Sequence, residues 1–120
     1  MRVEASTIDL MGHMLSAATR RHEVVSANLA NMNVPNYKAR VFEFEDDFRS
    51  ALAKGGPDAA MRVQGSVHTD ETSAVKADGN SVHLGHELGV MQKNQLLHGF
   101  YTTALQHQVQ TMRRAITGRA

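Results

Sequence analysis

The chain contains no cysteine. That excludes disulfide staples and thiol nucleophiles, and it is compatible with an extracytoplasmic destination. Tryptophan is also missing, and aromatic residues make up only 5%. Aromatics usually supply much of a core's area, so a large globular core would have to be built from aliphatic residues and methionine. Neither sign of charge dominates, with 13 Lys and Arg against 12 Asp and Glu. The net charge is +1, without the concentrated basic face of a nucleic-acid binder. The Arg20-Arg21 and Arg113-Arg114 pairs read as solvated helix surface. No apolar run approaches the roughly 20 residues that span a bilayer. The N-terminus lacks the charged start, apolar stretch and small-residue cleavage site of a secretory signal. The expectation is a soluble single unit of 120 residues that, if exported, leaves by a route without a cleaved signal.

Catalytic signals are equally thin. Gly55-Gly56-Pro57 opens no phosphate-binding helix with a following lysine. His83, His86 and Glu87 could share a helix face, but they lack the His-Glu-x-x-His spacing of a zinc protease and no nearby cluster completes a shell. Glu43, Glu45, Asp46 and Asp47 crowd together, yet acid–base work needs a cleft that separates carboxylate pKa values. They read instead as helix N-terminal charge and a solvated strand face. No residue is assigned to catalysis, to a cofactor or to a metal.

What the chain does have is two long seams. Over residues 6–33, Ile8, Met11, Leu15, Ala18, Val25, Leu29 and Met32 alternate three and four apart, with His22 in the one gap. That is the spacing of a coiled-coil face. Ser6, Thr7 or Asp9 can cap the start, and Val34-Pro35 ends the helix, because a residue before proline is pushed out of helical backbone. At 1.5 Å per residue such a helix is about 40 Å long. Over residues 83–117 a second seam runs through Leu84, Leu88, Met91, Gln95, His98, Thr102, Leu105, Val109, Met112 and Ile116, apolar at both ends and polar in the middle. Arg113, Arg114 and Arg119 suit the negative end of that helix.

Between the seams, Val41 to Glu45 alternates like a short strand. Asp46-Asp47 opens a short helix with Phe44, Phe48 and Leu52 on one face, and Gly55-Gly56-Pro57 closes it. Residues 54–80 read as a loop-rich insert with room for a small β-hairpin, Met61 to Gln64 being their one strand-like piece. The fold expected is mostly α: two long terminal helices forming a coiled-coil-like pair around that insert. Its parts are residues 1–39 (N-terminal helix and Asn/Pro motif), 40–80 (short helix and insert) and 81–120 (C-terminal helix), in one structural unit. A pair of helices buries one face of each partner. Ordering costs about 1–2 kcal/mol per residue, so seams this long call for helices from other subunits.

Two motifs are more specific. The segment Asn28-Leu29-Ala30-Asn31, followed by Pro35, Tyr37 and Lys38, resembles the N-terminal signature of flagellar rod, hook and hook-associated proteins. Val34 and Asn36 stand where that signature has Thr and Gly; Asn tolerates left-handed backbone. The segment Asp78-Gly79-Asn80-Ser81-Val82, followed by Leu84, Glu87, Leu88 and Asn94, is similar to the start of the C-terminal helix in the short rod proteins. His83 and Gly85 depart from the usual Asp and charged residue there. The chain thus resembles the flagellar basal-body rod family, closest to its proximal B-type members, with the C-type next.

The resemblance implies a non-enzymatic subunit of the periplasmic rod that polymerises and transmits torque. It implies homo- and hetero-oligomeric contact with other rod subunits and with basal-body components at the membrane ring, passage through the flagellar export apparatus, and no cofactor. The residues expected to pack between subunits are Ile8, Met11, Leu15, Val25, Asn28, Leu29, Asn31, Met32, Pro35 and Tyr37, with Leu84, Leu88, Met91, Leu105, Val109, Met112 and Ile116. Competing readings are a small metal enzyme using His83, His86 and Glu87, and a coiled-coil adaptor or export chaperone. An adaptor would need the seams but neither motif.

Overall fold

A computed structural model describes residues 5–118. Three helices and two strands follow in the order α1 (Thr7–Ala30), β1 (Arg40–Glu43), α2 (Glu45–Met61), β2 (Ser66–Thr69) and α3 (Leu84–Thr117). The mostly α architecture with long terminal helices is the expected one. Ser6 caps α1 and forms a capping box with Asp9: the Asp9 N–H donates to Ser6 Oγ, and Asp9 Oδ2 accepts from the Ser6 N–H. The helix ends three residues earlier than the seam suggests, at the Asn31 cap. The chain then turns through Asn36, whose φ of 66° is left-handed. Gly118, with φ 70°, closes α3. Arg119 lies outside the described residues.

Helices α1 and α3 run antiparallel, tied by bonds between Asn28 and Glu87 at one level and between Ala18 and Asn94 further along. At 34 residues against 24, α3 outruns its partner. No helix among the described residues is long and apolar enough to cross a membrane.

The middle segment differs from expectation in three ways. Gly55-Gly56-Pro57 does not end α2 but breaks it: Gly56 sits at φ 77°, ψ −170°, and the helix resumes through Pro57 to Met61. Proline is tolerated in a first helical turn, where its missing N–H is not needed. The second correction concerns Met61 to Gln64, which forms no strand. Val63 packs against the core, and β2 begins only after Gly65, at φ 75°. Thirdly, the hairpin is not local to the insert. Strand β2 pairs antiparallel with β1, Arg40 opposite Thr69 and Glu43 opposite Ser66, so α2 lies inside the connection.

The small core is also aromatic rather than aliphatic. Phe42, Phe44 and Phe48 gather with Ala17 and Ala60, and Leu10, Met14, Val24 and Val63 pack around them. The Phe44 and Phe48 rings lie 5.1 Å apart, and His13 meets Phe44 edge-on at 5.4 Å. This core holds the insert against α1. It leaves the α1–α3 contact to be made by other residues.

Candidate functional site

That contact is polar at its centre. Asn28, completely buried, uses both ends of its amide twice. Its Nδ2 donates to the Arg40 carbonyl at 2.8 Å and to Glu87 Oε2 at 3.1 Å. Its Oδ1 accepts from the Arg40 N–H at 3.0 Å and from the Tyr37 hydroxyl at 3.1 Å. One α1 side chain therefore holds the backbone of β1, the ring of Tyr37 and a buried carboxylate of α3. An amide has two donors and two acceptor sites, and here all are taken.

Asn94, two helical turns beyond Glu87, repeats the device. Its Nδ2 donates to the Ala18 carbonyl at 2.7 Å, and its Oδ1 accepts from Arg21 at 3.3 Å. Arg21 reaches on to Glu45 at 2.5 Å and to the Phe42 carbonyl at 3.4 Å, so α2 joins the same network. The groove it borders is lined by Arg49, Val90, Lys93, Leu97 and Tyr101 as well. Burial there, with Glu45 nearby, pushes the Tyr101 phenol above its usual range.

The two motifs meet on the far side of Asn28. Asn80 Nδ2 donates to the Asn31 and Val34 carbonyls at 2.9 and 2.8 Å, closing the end of α1, while its Oδ1 accepts from the Val82 N–H at 2.8 Å. Ser81 Oγ accepts from the Ala39 N–H at 2.8 Å, and the Ser81 N–H donates to the Tyr37 carbonyl at 3.0 Å. The Asn36 N–H donates to the Asp78 carbonyl at 3.0 Å, and Lys38 Nζ donates to the Gly79 carbonyl. A Cβ at Gly79, with φ 83°, would run into the Asn36 amide. Asn36 and Gly79 thus pass at backbone distance, and both have positive φ.

The remaining candidates fall into two groups. Val25 is buried, and Ile8, Met11, Leu15, Leu29, Asn31, Met32 and Tyr37 are half-buried. The Asn31 side chain bonds within its own helix, at the Ala27 carbonyl, and Pro35 is exposed. On α3, Met91, Leu105 and Val109 are half-buried, whereas Leu84, Leu88, Met112 and Ile116 are exposed by 49, 43, 51 and 82%. The most buried positions of α3 are Glu87 and Asn94. Apolar spacing alone placed the inward face about one residue round the helix, because its central members are polar. Asn94, Asn80 and Ser81 had entered the reading only as motif residues, and Glu87 as a motif residue and a metal candidate. Arg21, read as solvated helix surface, instead has a side chain only 13% exposed and pairs with Glu45 across elements, which nothing short-range in the sequence signals. His83 Nε2 donates to the Ala74 carbonyl at 2.7 Å, while Glu87 turns inward to Asn28. The structure does not bring His83, His86 and Glu87 together, and no group of three metal-type side chains gathers among the described residues.

The α1 side of this junction lies in a stretch shared with a known family. Residues 15–38, ending in the Asn28-to-Lys38 motif, match the family described as "Flagella basal body rod protein". Similarity extends further to whole proteins. "Flagellar basal body rod protein FlgB" of Buchnera aphidicola is 23% identical over 118 residues, covering 87% of this chain and 89% of that protein. The protein of the same name from Borrelia hermsii is 22% identical, covering 93% and 96%. That from Bacillus subtilis is 24% identical, covering 98% of each. The chain is related to the flagellar basal body rod proteins. The length shared with the Bacillus subtilis protein takes in both α1 and α3, with the motif clasp between them.

Proposed function

We propose that this chain is a structural subunit of the flagellar basal-body rod that polymerises through α1 and α3 and so carries torque. The observation that carries the reading is the exposed seam of α3. Leu84, Leu88, Met112 and Ile116 keep a coiled-coil spacing, yet α1 leaves them in solvent. Leu96 and Phe100, 77 and 67% exposed, add apolar side chains elsewhere on the same helix. Large apolar side chains left in solvent at both ends of one seam fit an interaction surface. In this reading the clasp around Asn28, Asn80 and Ser81 fixes the angle at which α1 and α3 leave the insert, and the outer faces meet neighbours. The relatives' names support the rod as the location, which makes the neighbours other rod subunits and basal-body components. Delivery through the flagellar export apparatus without a cleaved signal belongs to the same reading.

The test uses positions that the chain itself does not cover. Leu88→Asp or Ile116→Asp places a charge on a surface that assembly would desolvate, at a cost of several kcal/mol. In the source cell, each variant is expected to abolish swimming while the subunit is still made and exported. Normal swimming with both would remove the reading.

A further inference from the structure

We propose that the overhanging end of α3 docks on the acidic first turn of α2 in a second copy of this chain; this rests on the polymer reading and names its contact. Following the register of Asn28 with Glu87 and Ala18 with Asn94, α1 ends well before α3 does. Residues 110–118 are all exposed. They present Met112 and Ile116 beside Arg113 and Arg114, and among the described residues no ion pair engages either arginine. Residues 88–118 hold no Asp or Glu, so this end of the molecule is apolar and purely cationic.

Its complement lies elsewhere on the same chain. Helix α2 opens with Glu45, Asp46 and Asp47, preceded by Glu43. These residues border a notch of about 150 Å³ beside Phe42 and Phe44. The cap residue Phe44 supplies no side-chain bond to the first turn. Among the described residues Asp46 pairs with Arg49, at 3.6 Å, and its own side chain is 97% exposed, so it is open to a better cation. Leu52, 37% exposed, offers apolar contact on the same helix. Because the two surfaces differ, the contact is head-to-tail. Each copy still has one surface of each kind free, and such a contact repeats into an open assembly.

The absence of cysteine makes a direct test simple. Full-length Ile116→Cys and Ser50→Cys proteins are mixed at low salt and mildly oxidised, with circular dichroism confirming that each is folded. The mixed disulfide is expected to exceed either homodimer by roughly tenfold, and Arg113→Glu with Arg114→Glu in the first partner should remove about that excess. Asp46→Lys with Asp47→Lys in the second partner should restore it. A mixed yield no greater than the homodimers, or one indifferent to charge reversal, overturns the proposal. If sedimentation shows self-association in that case, the polymer reading stands and only this surface falls. If the unmodified chain stays monomeric at every concentration, both fall.

Discussion

An amide that meets all its hydrogen-bonding capacity inside a protein leaves several groups stranded when it is removed. Asn28→Ala would strand the Arg40 N–H and carbonyl, the Tyr37 hydroxyl and one oxygen of Glu87. The expected cost is about 2–4 kcal/mol of unfolding free energy. Asn28→Asp should be worse, since it sets a second carboxylate against buried Glu87 and the Arg40 carbonyl. Asn31→Ala, which loses one bond within its own helix turn, should cost under about 1 kcal/mol. Urea denaturation of the three variants makes the comparison, and equal losses at Asn28 and Asn31 would contradict it. Asp70 gives a pH test. Hydrogen bonds from the Ser73 and Thr72 side chains lower its pKa from 3.8 to about 2. A depressed carboxylate pKa means the turn is favoured above the unfolded value and released as pH falls through the folded one. The Thr72 amide resonance should therefore hold steady down to about pH 3 and shift near 2; a midpoint near 4 would show that the turn leaves Asp70 unperturbed.

Helix ends and seams were legible at the scale of elements because capping and periodicity act over a few residues. Ser6 with Asp9 and the run from Leu84 to Ile116 gave α1 and α3 nearly to their ends. Helix α2 was not legible past Gly56, since Gly-Pro reads equally as a stop and as a restart. Strand β2 was missed because Ser66 to Thr69, exposed throughout, owes its form to pairing with distant β1. The polar strip of α3 escaped for a similar reason. Glu87 and Asn94 are inward by virtue of partners on α1, and nothing beside them in sequence shows that. The clasp, by contrast, was half legible: both motifs stood out, but their contact across the insert did not. The glycines of α3 supply a prediction at this scale. A Cβ at Gly89 or Gly99 would meet no atom within 4 Å. Either change to Ala should stabilise the isolated chain by about 1 kcal/mol, raising Tm by about 4 °C. If neighbouring subunits approach that outer face closely, the same variants will assemble less well. A lower Tm would show that the helix is not formed there in solution.

The molecule as a whole is uneven in how firmly it is held. Its extents of 63 × 30 × 16 Å describe a rod-like shape rather than a sphere. Near the clasp, α3 is anchored by Glu87, by Asn94 and by half-buried Val90 and Leu97. Towards the other end that support fades, until residues 110–118 have only their own helix. A short helix segment without packing is marginal in water, and regions with few buried apolar contacts open at low free energy. In dilute solution the amides of residues 110–117 are expected to exchange with solvent at least roughly a hundredfold faster than those of residues 87–101. Assembly should change this. If the overhang is covered by a neighbour, its exchange in the polymer slows towards that of the anchored half, because opening must then break the subunit contact as well. Protection of residues 87–101 should change little, since their inward partners are already present in the single chain. Equal protection of both halves in the dilute chain would mean that α3 needs no partner. Persistent fast exchange of residues 110–117 in the assembled state would mean that neighbours meet elsewhere on the molecule.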